Sequence, residues 1–194
     1  MSSALVQPAE RISWEQFLEL PDLPNGLHAV ALIDGEVVWM ASPSPWHEVI
    51  GRNVLFALYA WTGPGIVRGL ALTTPVVNIV GRPLGYEADV GWIPPDRVTL
   101  DGRGAPIVDG VPAIVVEVWS PSNWPGEIDQ KTRDYATANV TELWGISPDL
   151  RRLTRYADLV DGRYASAVDL ADDEVLTSPL LDGFSVVVGS LFVV

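Results

Sequence analysis

Residues 113–119 read Ala-Ile-Val-Val-Glu-Val-Trp, an apolar run interrupted by a single acid. The apolar side chains are continuous rather than alternating, which is typical of a strand covered on both faces within an α/β domain. Glu117 is the exception, because a buried carboxylate needs a metal ion, a cation or water to replace its lost hydration. We therefore expect Glu117 to meet one of these at the end of its strand.

A second acid lies in the preceding strand-like segment, where residues 86–93 read Tyr-Glu-Ala-Asp-Val-Gly-Trp-Ile. Asp89 is out of place in such a run unless something binds it. His47 falls in the first turn of a helix predicted over residues 46–61. It could face a metal or transfer protons, or it could simply be hydrogen-bonded near a helix end.

Lys131 is the only lysine in the chain, and the other cationic side chains are all arginine. Lysine is a compact point charge on a flexible stem, a property that matters at a reaction centre more than on a surface. The alternative is a pair with Glu127 one helical turn away, which arginine would form equally well. Tyr135 lies one turn after Lys131 on the same helix face, where it could orient a phosphate or water, or pack in the core.

Two acids followed by a lysine resemble the active site of the PD-(D/E)xK nuclease superfamily. In the usual motif the lysine lies two residues after the second acid, where this chain has Trp119. A lysine on the following helix is the pattern of the Uma-type restriction endonuclease family. The segments that carry the resemblance are residues 32–36, 42–47, 88–90, 116–122, 131 with 135, and 140–144.

The resemblance implies one restriction-endonuclease-like domain with a mixed β-sheet flanked by helices, acting as a divalent-metal-dependent endonuclease on DNA. It implies Asp89 and Glu117 as ligands of Mg²⁺ or Mn²⁺, with Lys131, His47 and Tyr135 completing the catalytic set. In one departure, Ala31 replaces the family's glutamate two residues before the Ile-Asp-Gly-Glu turn. This departure and the acidic balance favour an alternative, a nuclease-like domain that has lost catalysis and acts as a dimeric binding or regulatory module. A further alternative, a hydrolase of a small phosphorylated substrate, would better suit the negative surface.

Composition and charge limit the class of protein. The 194 residues, 48% of them hydrophobic, suit a single α/β domain with a large core. No apolar run reaches the ~20 residues of a membrane span, and no signal peptide is visible. Cysteine is absent, which excludes disulfides and thiolate sites. These features predict a cytoplasmic protein without a membrane association.

The formal net charge of −13 disfavours a protein that grips nucleic acid, because phosphate affinity comes from lysine and arginine. DNA remains possible if a local arginine patch outweighs the net field. Arg151, Arg152 and Arg155 form the densest positive cluster and could contact phosphates or pair with nearby acids. We also expect a homodimer, with the apolar end at 183–194 forming a packed strand or an oligomer contact.

The remaining patterns divide the single domain, residues 1–194, into three parts. They are a short N-terminal helix at 13–20, a core at 29–148, and a C-terminal hairpin and strand at 151–194. Within the core we predict a hairpin at Asp34-Gly35, strands at 66–79, 86–93 and 142–146, and a helix at 127–138. Residues 94–112 are a candidate lid or a plain surface loop.

Overall fold

The computed structural model describes residues 11–21, 27–41, 44–79, 84–120, 123 and 125–194. Residues 1–10, 22–26, 42–43, 80–83, 121–122 and 124 lie outside these ranges, and with them the parts of the family resemblance at 42–43 and 121–122. The α-helices are α1 (Trp14–Leu18), α2 (Pro45–Thr62) and α3 (Pro125–Thr137), with 3₁₀ turns at Pro95–Arg97 and Val188–Phe192. The strands are β1 (Leu27–Ile33), β2 (Glu36–Ala41), β3 (Leu70–Thr73), β4 (Val76–Asn78), β5 (Gly85–Glu87), β6 (Val90–Ile93), β7 (Val98–Leu100), β8 (Pro106–Val108), β9 (Ile114–Val118), β10 (Glu142–Ser147), β11 (Arg152–Val160), β12 (Arg163–Leu170), β13 (Val175–Leu176) and β14 (Val186–Val187).

The central layer is a mixed six-stranded sheet in the order β12-β11-β10-β9-β6-β3. Strands β9 and β10 are parallel, and α3 forms the crossover between them, as strand-helix-strand units require. An antiparallel four-stranded sheet, β2-β1-β5-β4, lies beside it. The mixed sheet flanked by helices that the sequence predicts is therefore confirmed.

Strand β9 is buried along its whole length, as its continuous apolar run predicts. Val116 and Val118 belong to the apolar cluster that α2 covers, whereas Val115 belongs to a second cluster that includes Tyr135 of α3. Because side chains alternate along a strand, the two helices cover opposite faces of the sheet. Glu117 shares the face of Val115 and so points toward α3.

Local signals placed most turns and helix ends correctly. Asp34-Gly35 and Asp161-Gly162 both adopt positive φ at the tips of hairpins, at 49° and 86° and at 49° and 69°. Ser13 forms a capping box with Gln16, although α1 ends at Leu18 instead of residue 20. Glu36, after the first hairpin turn, is exposed as expected of a solvated residue.

Apolar residues lie on most of the surface of helix α2, yet the helix is buried on one side only. Ile50, Val54 and Leu58 pack against the six-stranded sheet, but Phe56 and Tyr59 on the other side are 60% and 58% exposed. The reason is that only one sheet face is available to the helix, so apolar residues on its far side find no partner within the described part of the chain.

The two long strands predicted at 66–79 and 86–93 are each divided in two. β3 and β6 belong to the six-stranded sheet, whereas β4 and β5 belong to the four-stranded sheet. The two connections run side by side, with Thr74 N–H donating to the Asp89 carbonyl at 3.1 Å and Ala88 N–H to the Pro75 carbonyl at 3.0 Å. Asp89 therefore lies at the crossing between two sheets and not inside a strand.

Residues 94–112 form a 3₁₀ turn and the β7–β8 hairpin instead of an irregular loop. The hairpin leaves the end of β6 and enters the start of β9, and these strands are antiparallel, with Trp92 opposite Ile114. Asp89 and Glu117 lie toward the other end of the same two strands. The position of the hairpin is thus not that of a lid over the two acids.

The C-terminal segment packs as predicted but is mostly not a strand. Only Val186–Val187 pair with β13, and Val188–Phe192 form a 3₁₀ turn whose Val188, Leu191 and Phe192 are buried. Asn53 of α2 holds this turn by donating to the carbonyls of Leu191 and Val193 at 3.0 and 2.8 Å. Among the described helices none is long and apolar enough to cross a membrane.

Candidate active site

Glu117 is the buried centre of the site, with 4% of its surface exposed. Lys131 Nζ lies 3.0 and 3.1 Å from its two carboxylate oxygens, and the Tyr135 hydroxyl donates to Oε1. Both donors project from the same face of α3, since they are one helical turn apart. The cation that compensates buried Glu117 in this structure is therefore Lys131.

The predicted surface alternative for Lys131, a pair with Glu127, does not form. Glu127 instead accepts from Asn123 Nδ2 at 2.7 Å, while Asn123 Oδ1 accepts from Ser120 N–H at 2.7 Å. These bonds join the end of β9 to the start of α3. They fix where the helix begins and so where Lys131 stands along it.

Asp89 adjoins Glu117 through the backbone of β9. Its Oδ2 accepts from the Val118 N–H at 2.7 Å and lies 3.3 Å from His47 Nε2. His47 is placed in the first turn of α2, where its own N–H donates to the N-cap Ser44. All five predicted residues are thus linked, His47 through Asp89 and the β9 backbone to Glu117, Lys131 and Tyr135. Their catalytic roles stay predictions.

Burial and mutual repulsion govern the charge of the site. Burial raises the pKa of Glu117, the charge of Lys131 opposes this rise, and the charge of Asp89 adds to it. Burial, with the charge of Glu117, raises the pKa of Tyr135 well above its ordinary value, so its hydroxyl stays a proton donor. Burial lowers the pKa of His47, but the hydrogen bond and charge of Asp89 outweigh it, and the net shift is upward.

Tyr86 and Asp134 also adjoin the site, although the sequence did not single them out as candidates. The Tyr86 hydroxyl donates to Asp134 Oδ2 at 2.7 Å, and the Tyr86 ring lies 5.3 Å from Lys131 Nζ. Trp119 supplies a second ring 5.9 Å from Nζ and is nearly buried, so packing and not base stacking accounts for it. No local pattern marks Tyr86 or Asp134, because the two meet only when β5 and α3 come together.

Ala31 lies beneath the site in an apolar setting. It is 4% exposed, it is the β-ladder partner of Tyr86, and it belongs to the same apolar cluster as Tyr86 and Tyr135. If Ala31 stands where a relative has a ligand, the position should border the site, and its pairing with Tyr86 agrees with that. Its surroundings are apolar, which is the environment of a structural residue.

Two carboxylates fit Mg²⁺ or Mn²⁺ in their chemistry, since Mg²⁺ is usually held by one or two carboxylates together with water and substrate phosphates. Within the described ranges no group of three or more histidine or acidic side chains is arranged to hold a metal. The protein would thus supply Asp89 and Glu117, and Glu117 would have to share its oxygens between Lys131 and the ion.

The arginine cluster is partly engaged within the molecule. Arg151 Nη2 lies 2.9 Å from Asp172 Oδ2, and the Arg155 guanidinium donates to the Thr177 carbonyl at 2.6 Å. Arg151 therefore pairs with a nearby acid, which is one of the two roles that the sequence predicted for the cluster. Contact of this cluster with DNA, like the homodimer, stays a prediction.

Comparisons with known proteins bear on the family and the fold. A family model described as "Uma2: Putative restriction endonuclease" matches residues 14–189. No relative was found among curated proteins. The structure is similar to that of "a putative nuclease belonging to DUF820 from Anabaena variabilis ATCC 29413", with a TM-score of 0.76 and 16% sequence identity, covering 93% of this chain and 97% of that chain. The likeness shows the fold, and the predicted restriction-endonuclease-like fold is confirmed.

Proposed function

The chain belongs to the Uma2 family, whose description is "Putative restriction endonuclease". We propose that it is a divalent-metal-dependent nuclease that hydrolyses phosphodiester bonds in DNA. The observation that carries the proposal is the buried Glu117 carboxylate, held by Lys131 and Tyr135 and placed next to Asp89. A fully buried acid with a raised pKa beside a second acid is costly for stability, and such costs are concentrated at functional sites.

Each side chain has a role that follows from its contacts. Asp89 and Glu117 would hold Mg²⁺ or Mn²⁺, which when bound activates water and offsets the charge of the phosphate. Lys131 presents its ammonium beside Glu117, where it can donate to a phosphate oxygen or to the attacking water. Tyr135 fixes the orientation of Glu117, and His47 can hold or release a proton at Nε2 beside Asp89.

A second function, a binding or regulatory module without catalysis, is favoured by Ala31. The position is apolar and buried, so the described site offers two carboxylates near Lys131 and no third one from β1. The net charge of −13 also weakens general affinity for DNA. We rank this function second because a buried glutamate–lysine pair is often no better for stability than apolar residues of similar volume, so a module without catalysis has little reason to keep it.

Cleavage of plasmid and single-stranded DNA with Mn²⁺ or Mg²⁺ at low salt tests the proposal. We expect cleavage by the wild type that EDTA abolishes, and its loss in Asp89→Asn and Glu117→Gln. Glu36→Gln removes an exposed acid in the β1–β2 hairpin and serves as the matched control, which should cleave normally. Failure of the wild type to cleave with either metal would shift the assignment to the binding module.

A further inference from the structure

We propose that Tyr86 and Asp134 form a positioning pair that sets the ammonium of Lys131 against Glu117. The proposal rests on the proposed function for its catalytic consequence, but the placement of Lys131 can be tested without it. Neither residue belongs to the acid-acid-lysine pattern, and both are buried, at 1% and 7% exposure.

Helix α3 is anchored to both sheets. Tyr86 belongs to β5 in the four-stranded sheet, and its hydroxyl donates to Asp134 Oδ2 at 2.7 Å. Asp134 follows Lys131 by three positions on α3, and residues at this spacing lie on neighbouring parts of the helix surface. On the other side, Lys131 and Tyr135 bond to Glu117 in the six-stranded sheet. Buried hydrogen bonds to both sheets therefore fix the rotation of α3 about its axis.

Tyr86 also contacts Lys131 directly. Lys131 Nζ lies 5.3 Å from the centroid of the Tyr86 ring, within the range of a cation–π interaction. The same ring packs against that of Tyr135, with centroids 5.6 Å apart. A lysine stem has several rotatable bonds, so the aromatic surface restricts an ammonium that would otherwise sample many positions. Tyr86 thus acts on Lys131 through its ring and, through Asp134, on the helix that carries it.

The position of the Lys131 ammonium should affect the rate of the reaction. A group that acts at a reacting centre loses effectiveness steeply when it moves, and about 1 Å can cost roughly a hundredfold in rate. Loss of the Tyr86 hydroxyl leaves the ring in place but removes the hydrogen bond between β5 and Asp134 of α3. We therefore expect Tyr86→Phe to lower kcat by roughly ten- to a hundredfold with little change in KM, because the pair does not contact substrate.

The single lysine makes the placement directly observable. Labelling with ¹⁵N-lysine gives one Nζ signal, which reports on Lys131 in the metal-free protein. We expect Tyr86→Phe to shift this signal and to speed its exchange with water. Asp134→Ala should do the same, whereas Asp134→Asn keeps an oxygen that can accept from the Tyr86 hydroxyl and should resemble the wild type.

Tyr164→Phe is the matched control. The Tyr164 hydroxyl is partly buried and donates to the Val140 carbonyl at 2.9 Å. Its removal therefore costs a similar hydrogen bond in the same apolar cluster, but beyond the C-terminal end of α3 and not at Lys131 or Asp134. It should lower the melting temperature without moving the Nζ signal or kcat. If Tyr86→Phe and Asp134→Ala leave the signal unchanged, or move it no more than Tyr164→Phe does, the pair only supports the fold and the proposal is overturned.

The Nζ measurement also separates this proposal from the proposed function. A wild type that cleaves no DNA overturns the nuclease assignment, while the Nζ signal still decides whether the pair positions Lys131. An active wild type whose Tyr86→Phe variant keeps both kcat and the signal overturns the positioning pair alone.

Discussion

The indole of Trp119 occupies the space that a side chain on Gly145 would need. A Cβ at Gly145 would lie 2.5 Å from Trp119 Nε1, closer than real Cβ contacts allow. Gly145 is also the partner of Glu117 in the parallel β9–β10 pairing. Glycine weakens a strand, so its presence in β10 is best explained by the close approach of the ring that adjoins Lys131.

Gly145→Ala should therefore destabilise the protein and disturb the site together. Overpacking of this kind costs about 1–3 kcal/mol, and the displaced indole would move beside Lys131, so melting temperature and DNA cleavage should both fall. Gly51→Ala is the control, because a Cβ there meets nothing within 4 Å and alanine favours the helix by roughly 0.5–1 kcal/mol. Equal melting temperatures for Gly145→Ala and wild type would show that Trp119 yields without cost.

Lys131→Arg tests whether the site needs a compact ammonium or only a positive charge. The guanidinium is larger and planar, and it cannot take the position of Nζ between the rings of Tyr86 and Trp119. We expect cleavage to fall roughly a hundredfold, with a smaller effect on thermal unfolding. Arg133→Lys, on the exposed side of the same helix, should leave both unchanged. Full cleavage by Lys131→Arg would exclude a specific role for the ammonium.

The melting temperature of Glu117→Gln, relative to that of the wild type, should rise with pH. The pKa of Glu117 is raised in the folded state above the ordinary 4.5, chiefly by burial. Its contribution to the free energy of unfolding is thus fully present below the unfolded-state pKa and is lost as pH rises through the folded-state pKa. Glutamine does not ionise, so its melting temperature relative to wild type should increase as pH rises above about 4.5, the ordinary pKa, and through the raised folded-state pKa of Glu117.

Glu36→Gln, at an exposed position, controls for the change in net charge in that experiment. A difference between Glu117→Gln and wild type that is constant across the pH range would mean that Lys131 and Tyr135 compensate Glu117 fully. Cleavage should be lost in Glu117→Gln at every pH, because the amide cannot replace the carboxylate as a metal ligand.

Ala31→Glu should destabilise the protein, because it places a carboxylate in the apolar cluster around Tyr86 and Tyr135. Burial of a polar group without partners costs roughly 1–3 kcal/mol. Ala31→Val, which adds volume without charge, should cost less in thermal melts of the metal-free protein. A clear gain in Mn²⁺ affinity of Ala31→Glu by calorimetry would show instead that position 31 reaches the metal site.

What the sequence could predict here was mostly local. The Asp34-Gly35 turn and the C-terminal hairpin, whose tip is Asp161-Gly162, depend on residues next to one another, and both were predicted correctly. Lys131 stood out because its residue type is unique in the chain. Asp89 and Glu117 stood out as acids in apolar runs.

The rest depended on contacts between distant segments. Tyr86 and Asp134 are 48 positions apart, and neither is unusual in its own segment. The division of residues 86–93 at Ala88-Asp89 depends on which sheet offers a partner to each half, and the sequence of the run does not contain that information. The exposed side of α2 likewise depends on how many sheet faces the fold provides.

The crossing at Ala88-Asp89 has a consequence for how the length of this chain can vary. β5 and β6 alternate their side chains in two different sheets, and one residue gained or lost between them would turn β6 over and exchange its two faces. Asp89 would then leave His47 and the Val118 N–H. Insertions and deletions in natural relatives should therefore avoid residues 87–90 and the adjoining 73–76, and collect at the exposed tip of the β7–β8 hairpin, residues 102–104.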